Sequence, residues 1–386
     1  MGTDAAPTYW YAPFDNAAEM ALAQAIAPKL GGELIVQSCT SRFGVPLPHE
    51  AESTFTLCRD LPPPAGEGGG SRSAYARWNV AKTRADRRRE LIRQVKPSLV
   101  HLHTFNVFTD WREIPRLAPL GAPIIQSIHN VRPQERILPD LAESWLLRRA
   151  YSAVDHLIVA HQRLADWLVD DFSIEPAKIS VVPLPVLPDE FIFGTPSSID
   201  GTTTFLFFGT LRRNKGIRIY LDAIADLRAE DNLRFVFAGR GDSESEAAIL
   251  EASRADPRIV AEIGYVEKAR KAQLYAEADV VVLPYLELPA QSGVLKDACA
   301  AGRPVLGTDV GALGPAIREE GVGWVIPSAD VVALQNALRQ IADAGHERQR
   351  RGQVARDLCA SRVPDRITDQ LLAVYDRVRS GFHLGA

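Results

Sequence analysis

Three places in the chain gather residues that can manage a charged leaving group. Residues 205–217 read FLFFGTLRRNKGI: an apolar run ends in Gly209, a polar loop carries Arg212, Arg213 and Lys215, and a helix begins near Gly216. In open α/β sheets ligands collect at the carboxyl ends of strands, where helix N-termini offer backbone N–H groups to anions. The loop matches neither a Walker A sequence nor G-x-G-x-x-G, which disfavours ATP hydrolysis and NAD. Taken alone, it reads equally as a solvated basic loop capping a helix. Residues 279–307, DVVVLPYLELPAQSGVLKDACAAGRPVLG, run from a strand through a proline-rich loop into a helix that opens on Gln291, Ser292 and Gly293. Small side chains at Ser292 and Gly293 let a phosphate approach backbone amides closely. Asp297 shares a helix face with Gly293 and suits hydrogen bonds from ribose hydroxyls, or else is a solvated charge on a surface helix. The third place is Gln126-Ser127-Ile128-His129-Asn130, where His129 closes a strand and can reach a sugar hydroxyl or a phosphate oxygen. A core histidine satisfied by backbone is the competing reading.

Those residues need a scaffold of parallel strands, and the chain supplies one. Short apolar runs alternate with amphipathic stretches throughout, the mark of an α/β protein. Strands are expected near 8–12, 33–37, 98–102, 123–127, 155–160 and 179–182, then near 204–208, 234–238, 259–262, 279–283 and 304–307. Helices are expected near 17–27, 81–95, 141–150, 160–169, 216–227, 244–253, 268–276, 292–301, 331–343 and 364–378. Residues 183–203 hold four prolines and no periodicity and read as a linker, while 59–72, with PPP and GGG, reads as a surface loop. Two Rossmann-like, doubly wound domains facing across a cleft are the simplest arrangement: 1–183, 184–363, and a C-terminal helix within 364–386.

With 386 residues, 46% hydrophobic and 24% charged, the chain has enough sequence for two globular domains. The net charge of -4 excludes a globally basic nucleic-acid binder. No apolar run approaches the ~18–20 residues that span a bilayer. The N-terminus lacks the pattern of a secretory signal, so a cytoplasmic location is expected. Cys39, Cys58, Cys299 and Cys359 show no metal-binding or disulfide spacing. His101 and His103 point to one face of a strand; without a third ligand they read as a packed or hydrogen-bonded pair rather than a metal site. His103 also stands as an acceptor-side candidate, together with Asp15 and Asn16, which follow the first strand. Residues 76–96 carry eight Lys or Arg against Asp86 and Glu90. That stretch is a candidate for peripheral contact with an anionic membrane, with a solvated helix face as the alternative.

Four pieces in order, FFGTLRRNKGI, FVFAGRGD (235–242), IGYVEKARKAQLYAEADVVVLPY (263–285) and SGVLKDACAAGRPVLGTDVGALGP (292–315), resemble the donor half of retaining GT-B glycosyltransferases, the "glycosyl transferases group 1" family. The resemblance is looser over 98–186. It implies transfer of a hexose-type sugar from a nucleoside diphosphate, UDP or GDP, to an acceptor hydroxyl, with retention of configuration, no metal and no further cofactor. The acceptor would be a glycan, a lipid-linked molecule or a small molecule. Arg212 and Lys215 would hold the diphosphate beside Gly209 and Thr210, which stands where the family often has arginine. Arg240, Tyr265 and Val266 would lie at the donor, the last two at its base, and His129 would contact its sugar or phosphate. Asp297 matches the second acid of a two-acid motif. Its first position is Pro289, with Glu287 the nearest carboxylate and Gln291 the polar substitute. A non-catalytic sugar-nucleotide module, or a GT-B epimerase or phosphorylase, would share these features.

Overall fold

The computed structural model describes residues 6–13, 17–39, 54–62, 73–106, 109–133, 139–187, 201–227, 232–288 and 292–385. Contacts divide the chain into two units, Met1–Pro185 with Pro364–Ala386, and Val186–Val363. The first unit contains β1 (Thr8–Tyr11), α1 (Ala17–Ile26), β2 (Leu34–Cys39), β3 (Thr56–Leu61), α2 (Ala74–Val95), β4 (Leu99–Leu102), α3 (Asp110–Glu113), β5 (Ile124–Ile128), α4 (Asp140–Ser152), β6 (His156–Val159), α5 (Gln162–Phe172) and β7 (Ile179–Val181). All seven strands are parallel, in the order β3-β2-β1-β4-β5-β6-β7. The C-terminal helix Pro364–Gly385 belongs to this unit, where Ile367, Leu371, Val374 and Tyr375 join Trp10, Met20 and Ile26 in one core.

The second unit contains β8 (Thr203–Phe208), α6 (Ile217–Ala225), β9 (Leu233–Gly239), α7 (Ser243–Ala255), β10 (Ile259–Ile263), α8 (Lys268–Glu277), β11 (Val280–Leu283), α9 (Gly293–Ala300), β12 (Val305–Thr308), α10 (Leu313–Glu320), β13 (Gly323–Ile326), α11 (Val331–Asp343) and α12 (Gly345–Ser361). Its sheet is also parallel, ordered β10-β9-β8-β11-β12-β13. Registered pairs Phe205–Phe235 and Phe207–Phe237 stack at 5.8 and 5.7 Å between ring centroids, and Tyr220 of α6 closes over them. Such aromatic ladders lock strand register because a slip of one residue would turn every ring to the other face.

In each sheet the strand order reverses once, between β1 and β4 and between β8 and β11. Connections leave such a pair in opposite directions and open a crevice at the strands' carboxyl ends. The loops after β8 and β11 carry the basic segment and the Ser292–Gly293 segment singled out in the sequence.

Some elements depart from the sequence expectation for identifiable reasons. Strand β3 lies partly in the stretch read as loop; it is an edge strand of the sequence TLCRDL in which only Leu61 is buried, so it shows no clean alternation. Strand β13, also at an edge, opens on glycine and is four residues long. Helix α2 starts at Ala74, seven residues before the expected 81, because Ser73 caps it by accepting from the Ala76 N–H at 3.1 Å. Helix α12 buries only Gly352, Ala355 and Cys359, a stripe too small to show as hydrophobic periodicity.

Candidate functional site

Beyond β8, β9 and β10 the chain reaches glycine in three adjacent strands: Gly209, Gly239 and Gly264, with φ of 121°, 139° and 136°. Their backbones interlock, Gly209 N–H donating to Ala238 C=O at 3.0 Å and Gly264 N–H to Gly239 C=O at 2.8 Å. A Cβ on Gly239 would fall 1.9 Å from the Gly209 carbonyl oxygen, and one on Gly241 would fall 1.6 Å from that of Leu211. The basic loop is therefore held against its neighbour by backbone alone, with Leu211 N–H donating to Arg240 C=O and Asp242 N–H to Leu211 C=O, at 3.0 and 2.9 Å.

After Leu211 the chain makes a single 3-10 turn, Arg213–Lys215, and Gly216 at φ 72° starts α6. Gly216 packs so tightly that a Cβ would lie 1.8 Å from the Pro284 carbonyl, and Leu286 N–H donates to Asn214 C=O at 2.9 Å. The loops after β8 and β11 thus form one assembly. Within it Arg212 is exposed and Lys215 is half-buried, its Nζ 3.9 Å from the centre of the buried Tyr285 ring. Burial, and then the charge of Arg212, lower the Lys215 pKa to about 8. Among the described residues no carboxylate pairs with Lys215. A cation held against an aromatic face without a counterion raises the local positive potential and attracts anions.

Helix α9 begins in the same region, and Val294 is the neighbour that a Cβ on Gly209 would meet, at 3.3 Å. Ser292 caps the helix by accepting from Leu295 N–H at 3.2 Å. Gly293 is exposed, with nothing within 4 Å of its Cβ position. Asp297 does not stand alone: its Oδ2 lies 2.6 Å from Lys271 Nζ of α8, and its Oδ1 lies 3.9 Å from Lys296 Nζ. Tyr265 is exposed, Val266 packs on the unit's core, and Thr210, Arg240 and Glu287 are exposed. Gln291 and Pro289 lie outside the described residues, as do Asp15 and Asn16 of the first unit.

In the first unit His129 follows β5 directly. Its side chain is 37% exposed, and its Nε2 lies 3.8 Å from the carboxylate of Glu19 in the first turn of α1. Burial lowers its pKa, and a hydrogen bond to the His103 backbone works against that shift. It lines a cavity of about 250 Å³ with Thr104, Phe105, Ser127, Asn130 and Tyr151. His101 and His103 stand behind it with ring centroids 4.0 Å apart. His101 is saturated, Nδ1 to Tyr375 Oη at 2.6 Å and Nε2 to Ser127 Oγ at 2.9 Å. His103 is 3% exposed and packs on Trp10, so it faces the core rather than the surface on which an acceptor would rest. The pair is the packed one, and no group of three metal-ligating side chains occurs among the described residues.

Sequence reasoning missed three residues beside these positions: Tyr285, which backs Lys215; Lys271, which holds Asp297; and Glu19, which faces His129. Each lies at a distance in sequence from its partner, and Glu19 stood outside every quoted motif.

Part of the basic character of 76–96 is spent internally. Arg84 and Arg88 are buried, Arg88 pairs with the buried Asp110 at 2.8 Å, Arg84 donates to the Pro62 carbonyl at 2.8 Å, and Arg89 pairs with Asp86 and Glu113. Among the described residues Arg77 and Arg87 remain exposed without an ion pair, and Lys82 and Arg93 pair only along the exposed face, with Asp86 and Glu90 at 3.9 Å.

Residues 202–344 match the family model described as glycosyl transferases group 1, and residues 41–190 match glycosyltransferase family 4. A glycogen synthase of Mycobacterium tuberculosis is 28% identical over 230 residues, 57% of this chain and 52% of that protein. A GDP-mannose:glycolipid 4-beta-D-mannosyltransferase of Xanthomonas campestris pv. campestris is 26% identical over 251 residues, 59% of this chain and 63% of that protein. The chain thus spans about half to two thirds of these relatives. Sucrose-phosphate synthase from Thermosynechococcus elongatus superposes with a TM-score of 0.76 at 16% identity, over 97% of this chain and 99% of that one, a likeness of fold. One matched segment falls in each unit, similar to group 1 and family 4 glycosyltransferases respectively, and the two parallel sheets have the GT-B fold of the solved structures.

Proposed function

We propose that the protein transfers a hexose-type sugar from a nucleoside diphosphate to an acceptor hydroxyl, with retention of configuration and without a metal ion. The observation that carries this reading is the uncompensated Lys215 cation, fixed over Tyr285 in the loop assembly that also contains Arg212 and the start of α9. Breaking the bond between the anomeric carbon and the diphosphate oxygen leaves positive character on carbon and negative charge on the departing group. Lys215, Arg212 and the Ser292–Gly293 amides meet that charge without reorganising. In this reading the acceptor oxygen bonds to the anomeric carbon, and its proton passes to the departing diphosphate. His129 contacts the donor sugar, and Tyr265 and Val266 the base.

The donor is a UDP- or GDP-sugar, and the mannosyltransferase relative's name favours testing GDP-mannose first. A glycan, a lipid-linked molecule or a small molecule is the acceptor. The test is a thermal-shift screen against nucleoside diphosphates and their sugars, with and without magnesium. A donor at 100 times its dissociation constant should stabilise the fold by about 2.7 kcal/mol. The shift should be unaffected by magnesium and lost when Arg212→Ala is combined with Lys215→Ala. Binding without release of nucleoside diphosphate in any acceptor mixture would favour a non-catalytic module, and no binding at all would end the donor-site reading.

A further inference from the structure

Helix α4 presents to solvent a stripe whose chemistry the sugar-transfer reading does not use. Leu141, Trp145, Arg148, Arg149 and Ser152 fall within about 100° of one another around the helix, and Leu141 is 89% and Trp145 57% exposed. The opposite face, with Glu143, Leu147, Ala150 and Tyr151, is buried. Trp111 of α3 lies beside Trp145, ring centroids 5.9 Å apart. The guanidinium of Arg112 stands 5.4 Å from the Trp111 ring centre, and that of Arg149 stands 5.9 Å from that of Trp145. A hollow of about 450 Å³ opens here between Pro115, Trp145, Arg148, Arg149, Ser152 and Ala153.

The charges on this face are not balanced. Among the described residues Arg112, Arg148 and Arg149 form no ion pair; Arg148 donates only to the Asp171 carbonyl, at 3.2 Å. Of the nearby acids, Glu113 is already shared by Arg89 and Arg116. On α2, Arg84 and Arg88 are buried and Arg89 is paired, leaving Arg77 and Arg87 exposed without an ion pair among the described residues, whereas on α4 Arg148 and Arg149 are both exposed without an ion pair and stand beside exposed Trp145 and Leu141. Exposed leucine and indole beside unpaired guanidinium groups match the two layers of an anionic bilayer surface. The acyl boundary takes the apolar tips, and headgroup phosphates take the arginines. A soluble anionic saccharide would account for Trp145 and the arginines but would leave Leu141 without a role.

We propose that the α3–α4 face docks the protein peripherally on an anionic lipid surface. Leu141 and Trp145 enter the headgroup boundary, and Arg112, Arg148 and Arg149 pair with lipid phosphates. The inference does not depend on the donor-site assignments.

The experiment is sedimentation of the full chain with vesicles of phosphatidylcholine alone or mixed with phosphatidylglycerol, at low and at 0.5 M salt, with tryptophan emission recorded. Binding is expected only to the anionic vesicles, weakened by salt and accompanied by a blue shift. Arg148→Glu with Arg149→Glu should weaken it about thirtyfold or more. Leu141→Glu with Trp145→Ala should abolish the blue shift, and both variants should keep the parent melting temperature. An α2 variant, Arg77→Glu with Trp78→Ala, should bind within threefold of the parent. Loss confined to the α2 variant, equal binding by all variants, or no binding to either vesicle would overturn the proposal. So would a lipid-free dimer that the α4 changes dissolve, since the occupant would then be a second copy. Saturable binding of a sugar phosphate that the same changes abolish, without vesicle binding, would likewise replace the lipid surface by a soluble anion.

Discussion

Lys215 is the residue on which the chemistry is most exposed to test. Burial and the neighbouring Arg212 bring its pKa down to about 8, so in the empty site it is charged below that value and neutral above it. In the proposed reading a diphosphate binds the charged form. Donor affinity should therefore be level at neutral pH and fall as pH rises through 8 and beyond, with up to tenfold lost per unit once the lysine is neutral in the free protein. Isothermal titration from pH 6.5 to 9.5 checks this, and Lys215→Met should bind more weakly by roughly tenfold or more, with a flatter profile. Asp297 offers a second test. Its ion pair with Lys271 at 2.6 Å means that Lys271→Ala alters the proposed donor site without touching Arg212 or Lys215. If Asp297 contacts the ribose only when held by Lys271, the variant should raise the donor KM several-fold with little change in kcat.

At the scale of elements, the row of glycines at the ends of β8, β9 and β10 decides how closely the loops can approach. Gly239→Ala places a methyl group 1.9 Å from a backbone oxygen at φ 139°, and overpacking and backbone strain together should cost about 2–5 kcal/mol. Gly264→Ala has a similar φ of 136° but nothing within 4 Å, so only the conformational term of about 1–2 kcal/mol applies. Urea unfolding of the two variants should separate them by at least 1 kcal/mol. The glycines stood in the quoted motifs, but their interlocking did not show there, because it joins residues some 25–55 positions apart in sequence. Strands β8 and β11 were plain in the sequence because both are buried on both faces and read as continuous apolar runs. The edge strand β3 and the polar helix α12 were not, because neither buries enough apolar surface to leave a period.

Across the whole of the first unit, buried histidines couple stability to pH. Burial lowers His101 to about 3 and His156 to about 4 and holds His103 well below its ordinary value. In the unfolded chain each takes a proton near 6.5. Their contribution to folding is therefore complete above about pH 6.5 and is lost as pH falls below it, by about 1.4 kcal/mol per pH unit for each histidine. Urea midpoints between pH 7 and 5 should show this slope, and His103→Gln should reduce it by one proton. Tyr375→Phe, which removes the partner of His101 Nδ1 at 2.6 Å, should cost about 1–3 kcal/mol. That bond also ties the C-terminal helix to β4 across 274 residues of sequence.

The sequence by itself determined the class of fold and the location of a basic loop directly after β8. Both are written in contiguous residues, in the period of the apolar runs and in the cations that follow a strand ending in glycine. It could not determine how charges are spent. Arg84, Arg88 and Arg89 look like an outward basic face until the structure pairs or buries them. Arg148 and Arg149 look unremarkable until α4 turns them outward beside Trp145. Whether a charged side chain is solvated, paired or free for a ligand depends on groups that meet only after the chain has folded, and that is what the tertiary structure alone decided.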